Sequence, residues 1–247
     1  MRLSRNRLRL LPVLAGIAVV SFLPSSAFAW FPFIASNGQP SKWVWNSSCN
    51  SGSRPIAVIY DAAMNVSWMK DSVIPGVHAS WNSGLITSLF QSPNYSASNS
   101  TISSVNSYMR SPPANTIRVV WDSDGSIFSF FGIPTSSVLG IGLGFNTNSS
   151  RPQDICSGMV LLNKALIESY GGFKDRYLYF TLQHELGHVL GLAHSIAGDN
   201  TSSGLSVGVF TSASVPTMYP FAPAVMPAVG ASLHADDAAA KKVLYGP

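Results

Sequence analysis

His184, Glu185, His188 and His194 fall within eleven consecutive residues, HELGHVLGLAH. Imidazole nitrogens are metal ligands, and a carboxylate beside them can take a proton from a water on the metal. On an α-helix each residue turns ~100° and rises ~1.5 Å. His184 and His188 then project ~40° apart on one face, close enough to share an ion. Glu185 lies beside that ridge and reaches a water rather than the ion. If the helix continued, His194 would lie ~9 Å further along the axis and on the far side from His188. Zinc–imidazole bonds are only ~2.0–2.1 Å long. The helix must therefore end and the chain turn back. Gly191 is placed for that reversal, because glycine tolerates positive φ at a helix end. Three neutral imidazoles would leave zinc its full charge and an open fourth position.

The elements that must position these residues can be read around them. Residues 177–192 form an apolar, proline-free helix candidate stopped by Gly191. Residues 55–60 (PIAVIY), 116–121 (TIRVVW) and 158–162 (GMVLL) read as strands, the second ended by Asp122-Ser123-Asp124-Gly125. Pro75 suits the first position of a helix reaching about Trp81. A last helix fits residues 235–244, with Asp236 and Asp237 in its first turn and Lys241 and Lys242 later, as the helix dipole prefers. Residues 83–115, rich in Ser and Asn, read as a long surface connection with room for short helical turns, and the glycine-rich residues 127–145 as a looped stretch. Strands first and helices later predict an α+β domain.

Composition narrows the function. The formal charge of +4 is misleading, because Arg2, Arg5, Arg7 and Arg9 all lie in the first 29 residues. The remainder carries eleven basic and eleven acidic side chains. A neutral chain has no basic footprint, so no nucleic-acid partner is expected. Residues 1–29 read as an export signal: a basic start, an apolar run, and Ala27-Phe28-Ala29 at the cleavage site. A secreted, extracellular protein is expected, with no membrane association after signal removal. Residues 30–52 form an N-terminal segment ahead of a domain over 53–247. Its aromatic residues (Trp30, Phe31, Phe33, Trp43 and Trp45) are expected to pack on that domain.

The run HELGHVLGLAHS resembles the signature of the metzincin zinc peptidases, HExxHxxGxxH. Ser195 and the later Pro216-Thr217-Met218-Tyr219-Pro220 resemble the matrixin branch and its methionine-turn. Asp236-Asp237 followed by Leu244-Tyr245-Gly246 resembles that branch's terminal helix, and Ala79-Ser80-Trp81-Asn82 and Val138-Leu139-Gly140 are weaker landmarks. The resemblance implies a two-lobed catalytic domain with a twisted mixed sheet, a long active-site helix and a C-terminal helix. It implies one catalytic zinc on His184, His188 and His194, Glu185 as general base for a zinc-activated water, and Met218 beneath the metal. Tyr219 and Pro220 would line the pocket for the residue after the cleaved bond. The substrate would be a protein or peptide, and the enzyme a monomer. No cysteine-switch segment precedes the motif, so the likeness is to the bacterial type without a prodomain. Only His78 and His234 remain, so no second zinc is expected.

Three readings stay open on the residues themselves. Cys49 and Cys156 are either one bridge, as an oxidising compartment favours, or two thiols. Asp122 and Asp124 offer carboxylates suited to Ca2+, or simply make a β-turn. The rival to a secreted zinc endopeptidase is a secreted binding protein that keeps the zinc as a structural tie. The open fourth position weighs against it, because structural zinc sites normally have four protein ligands.

Overall fold

The computed structural model of the chain describes residues 32–45, 49, 54–95, 98–146, 150–194, 217–218 and 226–246. The export-signal region 1–29 lies outside them. The chain is a mixed α+β fold built on a five-stranded mixed sheet.

In chain order the described elements begin with β1 (Lys42–Trp43), β2 (Ala57–Tyr60), α1 (Ile74–Asn82), β3 (Asn94–Tyr95), α2 (Ile102–Arg110), β4 (Thr116–Asp122) and α3 (Ser126–Phe130). They continue with β5 (Gly140–Phe145), β6 (Asp154–Ile155), β7 (Ser157–Asn163), α4 (Lys164–Ser169), α5 (Lys174–Val189) and α6 (Ala235–Tyr245). The main sheet runs β3-β2-β4-β7-β5. Its first four strands are parallel, and β5 pairs antiparallel with β7, Gly142 opposite Val160. Alternation along β7 divides the core. Val160 and Leu162 join the cluster that holds α1 and α5, whereas Met159 and Leu161 face Val105 and Tyr108 of α2 and Phe128 of α3. The sheet is thus covered on both faces, as parallel strands require.

The strands expected at 55–60, 116–121 and 158–162 are β2, β4 and β7, displaced by a residue or two at their ends. The last helix extends to Tyr245. The motif helix covers Lys174–Val189 rather than 177–192, because the chain turns before Gly191. α1 starts at Ile74, one residue ahead of Pro75, because a π-helical turn at Met69–Val73 feeds directly into it.

One sequence expectation is made specific and one is corrected. Residues 83–115 contain α2, started by a reciprocal cap: Ser104 N–H donates to Thr101 Oγ1 at 3.2 Å and Thr101 N–H to Ser104 Oγ at 2.9 Å. The apolar stripe Ile102, Val105, Tyr108 and Met109 buries that helix. Residues 127–145 are no loop, for they contain α3 and β5. Gly140, Gly142 and Gly144 alternate along β5 on the face against α5. A Cβ on Gly140 would stand 2.7 Å from Thr181 Cγ2, and one on Gly144 3.3 Å from Val189 O. These glycines let the helix lie directly on the strand.

Residues 32–45 are tied firmly to the domain. β1 pairs with β6, and Cys49 is bridged to Cys156 at a Cα–Cα distance of 5.2 Å. Trp43 is fully buried and Trp45 packs at the core edge, whereas Phe33 is 43% exposed. Among the described residues no helix is long and apolar enough to cross a membrane.

Candidate metal centre

α5 carries His184, Glu185 and His188 on its last two turns. It ends as the spacing requires. Gly191 takes φ +97°, its N–H donates to His188 O at 2.9 Å, and Leu192 N–H donates to Gly187 O at 2.9 Å. This paired closure around a left-handed glycine is the Schellman arrangement. A side chain at Gly191 would also overlap the Ser41 carbonyl. The reversed chain returns His194 to the other two histidines. His188 and His194 bring their Nε2 atoms to 3.2 Å. Two nitrogens each ~2.0–2.1 Å from one tetrahedral ion would be ~3.3–3.4 Å apart. One ligand atom from each of the three histidines lies within 4.8 Å of the others.

Hydrogen bonds fix which nitrogens face inward. His184 Nδ1 is 2.7 Å from Thr217 O, and His188 Nδ1 is 2.7 Å from Leu192 O. A carbonyl only accepts, so each Nδ1 carries the proton and each Nε2 keeps a free lone pair. Such carbonyl partners are what orient histidine ligands around metals. Burial disfavours the charged form of all three rings. It pushes His184 well below the usual histidine range, with its two histidine neighbours adding to the effect and the Thr217 carbonyl opposing it. Burial takes His188 down to about 4, the Leu192 carbonyl opposing, and lowers His194 as well. The donor set fits a divalent ion that accepts imidazole. Among the described residues no fourth His, Cys, Asp or Glu joins the group.

Glu185 is buried against β5. Its Cγ and Oε1 lie beneath Gly140. Burial pushes the carboxyl up to about 8, with the nearby Gly142 amide opposing. A cation at the triad would draw it back down.

Under the helix, Met218 fills the space that a Cβ on Gly187 would take. Thr217 is held on three sides. Its N–H donates to Asp237 Oδ2 at 2.6 Å, its Oγ1 accepts from His234 N–H at 3.2 Å, and its carbonyl accepts from His184. No family model matches this sequence, and no curated protein matches it. The metal centre therefore rests on its own geometry.

Other anticipated residues find their places. Tyr219 and Pro220 lie outside the described residues. His78 and His234 stand apart from the triad: His78 bonds Tyr60 Oη and Gln91 O, and His234 caps α6. Asp122 accepts from Phe128 N–H and Asp124 from Ser126 N–H, so both carboxylates serve the start of α3. Thr217, Leu192 and Gly142 were not anticipated as site residues. The first two act through backbone carbonyls, which leave no mark in a sequence. Gly142 did leave one, the alternate-residue spacing of Gly140, Gly142 and Gly144.

Proposed function

We propose that this chain is a secreted zinc-dependent endopeptidase of the metzincin type, similar to bacterial matrixins. The observation that carries the reading is the convergence of His184, His188 and His194, with no fourth candidate ligand among the described residues and Glu185 on the adjoining helix position. These histidines would hold the zinc by Nε2. The bound ion would supply Lewis-acid polarisation of a carbonyl and make a water acidic near neutral pH. Glu185 would take the proton from that water and return it to the leaving amine.

β5 supports the peptide part of the reading. It is the terminal strand of its sheet and passes over the helix turn that holds Glu185 and His188. An extended peptide could add to its outer edge by backbone hydrogen bonds and so lie across the metal. Met218 would support the site from below, and Tyr219 and Pro220 would border the pocket beyond the cleaved bond.

A mixed peptide library incubated with the zinc-loaded chain tests the proposal. Cleavage that a chelator abolishes and added zinc restores is expected. Intact peptides under all conditions would leave only a metal-binding protein.

A further inference from the structure

The turn that leads to His194 is pinned at three consecutive carbonyls. Leu192 O accepts from His188 Nδ1, and Gly191 O accepts from Phe33 N–H at 2.8 Å. Leu190 O accepts from the hydroxyl of Tyr245. Helix ends leave such carbonyls unsatisfied unless something outside the helix supplies donors. Here the outside donors come from opposite ends of the described chain, a strap preceding β1 and the last residue of α6.

Tyr245 joins those ends. Its oxygen also accepts from Trp43 N–H at 3.1 Å, and its ring is buried against Trp45. One hydroxyl therefore bonds both β1 and the helix terminus. The strap that β1 anchors runs beneath Gly191, where the Ser41 carbonyl occupies the side-chain position, and Pro32 bridges to Leu192. The strap also brings the Phe33 ring to 5.5 Å from that of His188. Displacing Leu190 would shift Leu192 O, which orients His188, and the two-residue link to His194.

We propose that Tyr245 is a positioning residue for the metal centre, setting the 190–192 turn so that His188 and His194 face one ion. The inference rests on the triad binding a metal and is independent of peptide cleavage. Tyr245→Phe keeps the ring and removes the hydroxyl. Arg54→Ala is the matched control. It removes a 2.6 Å bond to the Tyr245 carbonyl and the stacking of Arg54 on Trp45, yet touches nothing in residues 190–192.

Zinc affinity is measured on the full chain by competition with a chromophoric chelator, and ligand geometry by the visible absorption of the cobalt(II) form. Tyr245→Phe is expected to weaken zinc binding about tenfold, the lower end for outer partners of metal ligands, and to alter the cobalt spectrum. Arg54→Ala is expected to keep both. A measurement on the wild-type chain covers the case in which Tyr245→Phe does not fold. Binding linkage is reciprocal, so zinc loading should slow hydrogen exchange of the Trp43 amide by a similar factor. Unchanged affinity and spectrum in Tyr245→Phe, equal losses in Arg54→Ala, or Trp43 exchange indifferent to zinc would overturn the proposal. A wild-type chain that binds no zinc would overturn the metal centre itself.

Discussion

Gly142 of β5 and Glu185 of α5 meet backbone to backbone: a Cβ on the strand residue would overlap the helix carbonyl and stand 3.0 Å from His188 Cβ. The edge strand and the helix turn that carries Glu185 and His188 are therefore one packed unit. Gly142→Ala must separate them. Overpacking of this kind costs about 1–3 kcal/mol. Gly172→Ala, where a Cβ meets nothing within 4 Å, should stay within about 0.5 kcal/mol. Denaturant unfolding of the two variants checks the difference, and equal stabilities would show that the contact is not as close as described.

Glu185→Gln preserves shape and removes the base. Peptide cleavage should fall roughly 10²–10⁴-fold, the usual contribution of a positioned general base. Zinc content, measured by atomic absorption, should stay at one ion per chain because Glu185 is not among the converging ligands. Full activity with zinc retained would remove Glu185 from the chemistry.

Metal binding to the folded chain must stabilise it. At zinc concentrations about 100 times Kd the gain is about 2.7 kcal/mol, or roughly 5–10 °C for a domain of this size. Thermal unfolding of the wild-type chain should rise by that amount and return to its starting value with a chelator. His194→Ala should show little of the shift, since two imidazoles remain. A shift that survives in His194→Ala would place the ion elsewhere.

His78 gives a pH dependence separate from the metal. Its Nδ1 donates to Gln91 O at 2.9 Å and its Nε2 accepts from Tyr60 Oη at 2.7 Å, so the buried ring is neutral. Burial lowers it to about 4, against 6.5 unfolded, with the Gln91 carbonyl opposing. As pH falls through that window the unfolded chain takes up the proton first. Stability present above pH 6.5 is therefore lost toward pH 4, by up to about 3 kcal/mol. Asp237, raised by burial to about 6, runs the other way. It is common to the wild type and His78→Gln, so it cancels when the two are compared in chelator. His184, His188 and His194, also lowered by burial, lose stability in the same direction in both chains and cancel likewise. The variant should therefore lose less stability than the wild type between pH 7 and 4.5, by up to about 3 kcal/mol. Parallel stability curves would show that His78 does not titrate in this way.

The convergence of the three histidines was legible because helical period and bond length together leave few alternatives. His184 and His188 share a face, and His194 can join them only if the chain reverses near Gly191. The supporting parts were less legible because their causes are tertiary. Alternate glycines in β5 look like a loop until α5 lies on them. The serines around α2 hid its reciprocal cap between Thr101 and Ser104. Thr217 and Leu192 orient the rings through carbonyls that every residue possesses. Tyr245 reaches Leu190 across 55 positions of sequence, which no local pattern announces.

X-ray absorption at the zinc edge, on the zinc-loaded chain, tests the central claim most directly. Three imidazole nitrogens at ~2.0–2.1 Å with one further light atom are predicted, falling to two imidazoles in His194→Ala. A sulfur neighbour, or only two imidazoles in the wild-type chain, would contradict the account.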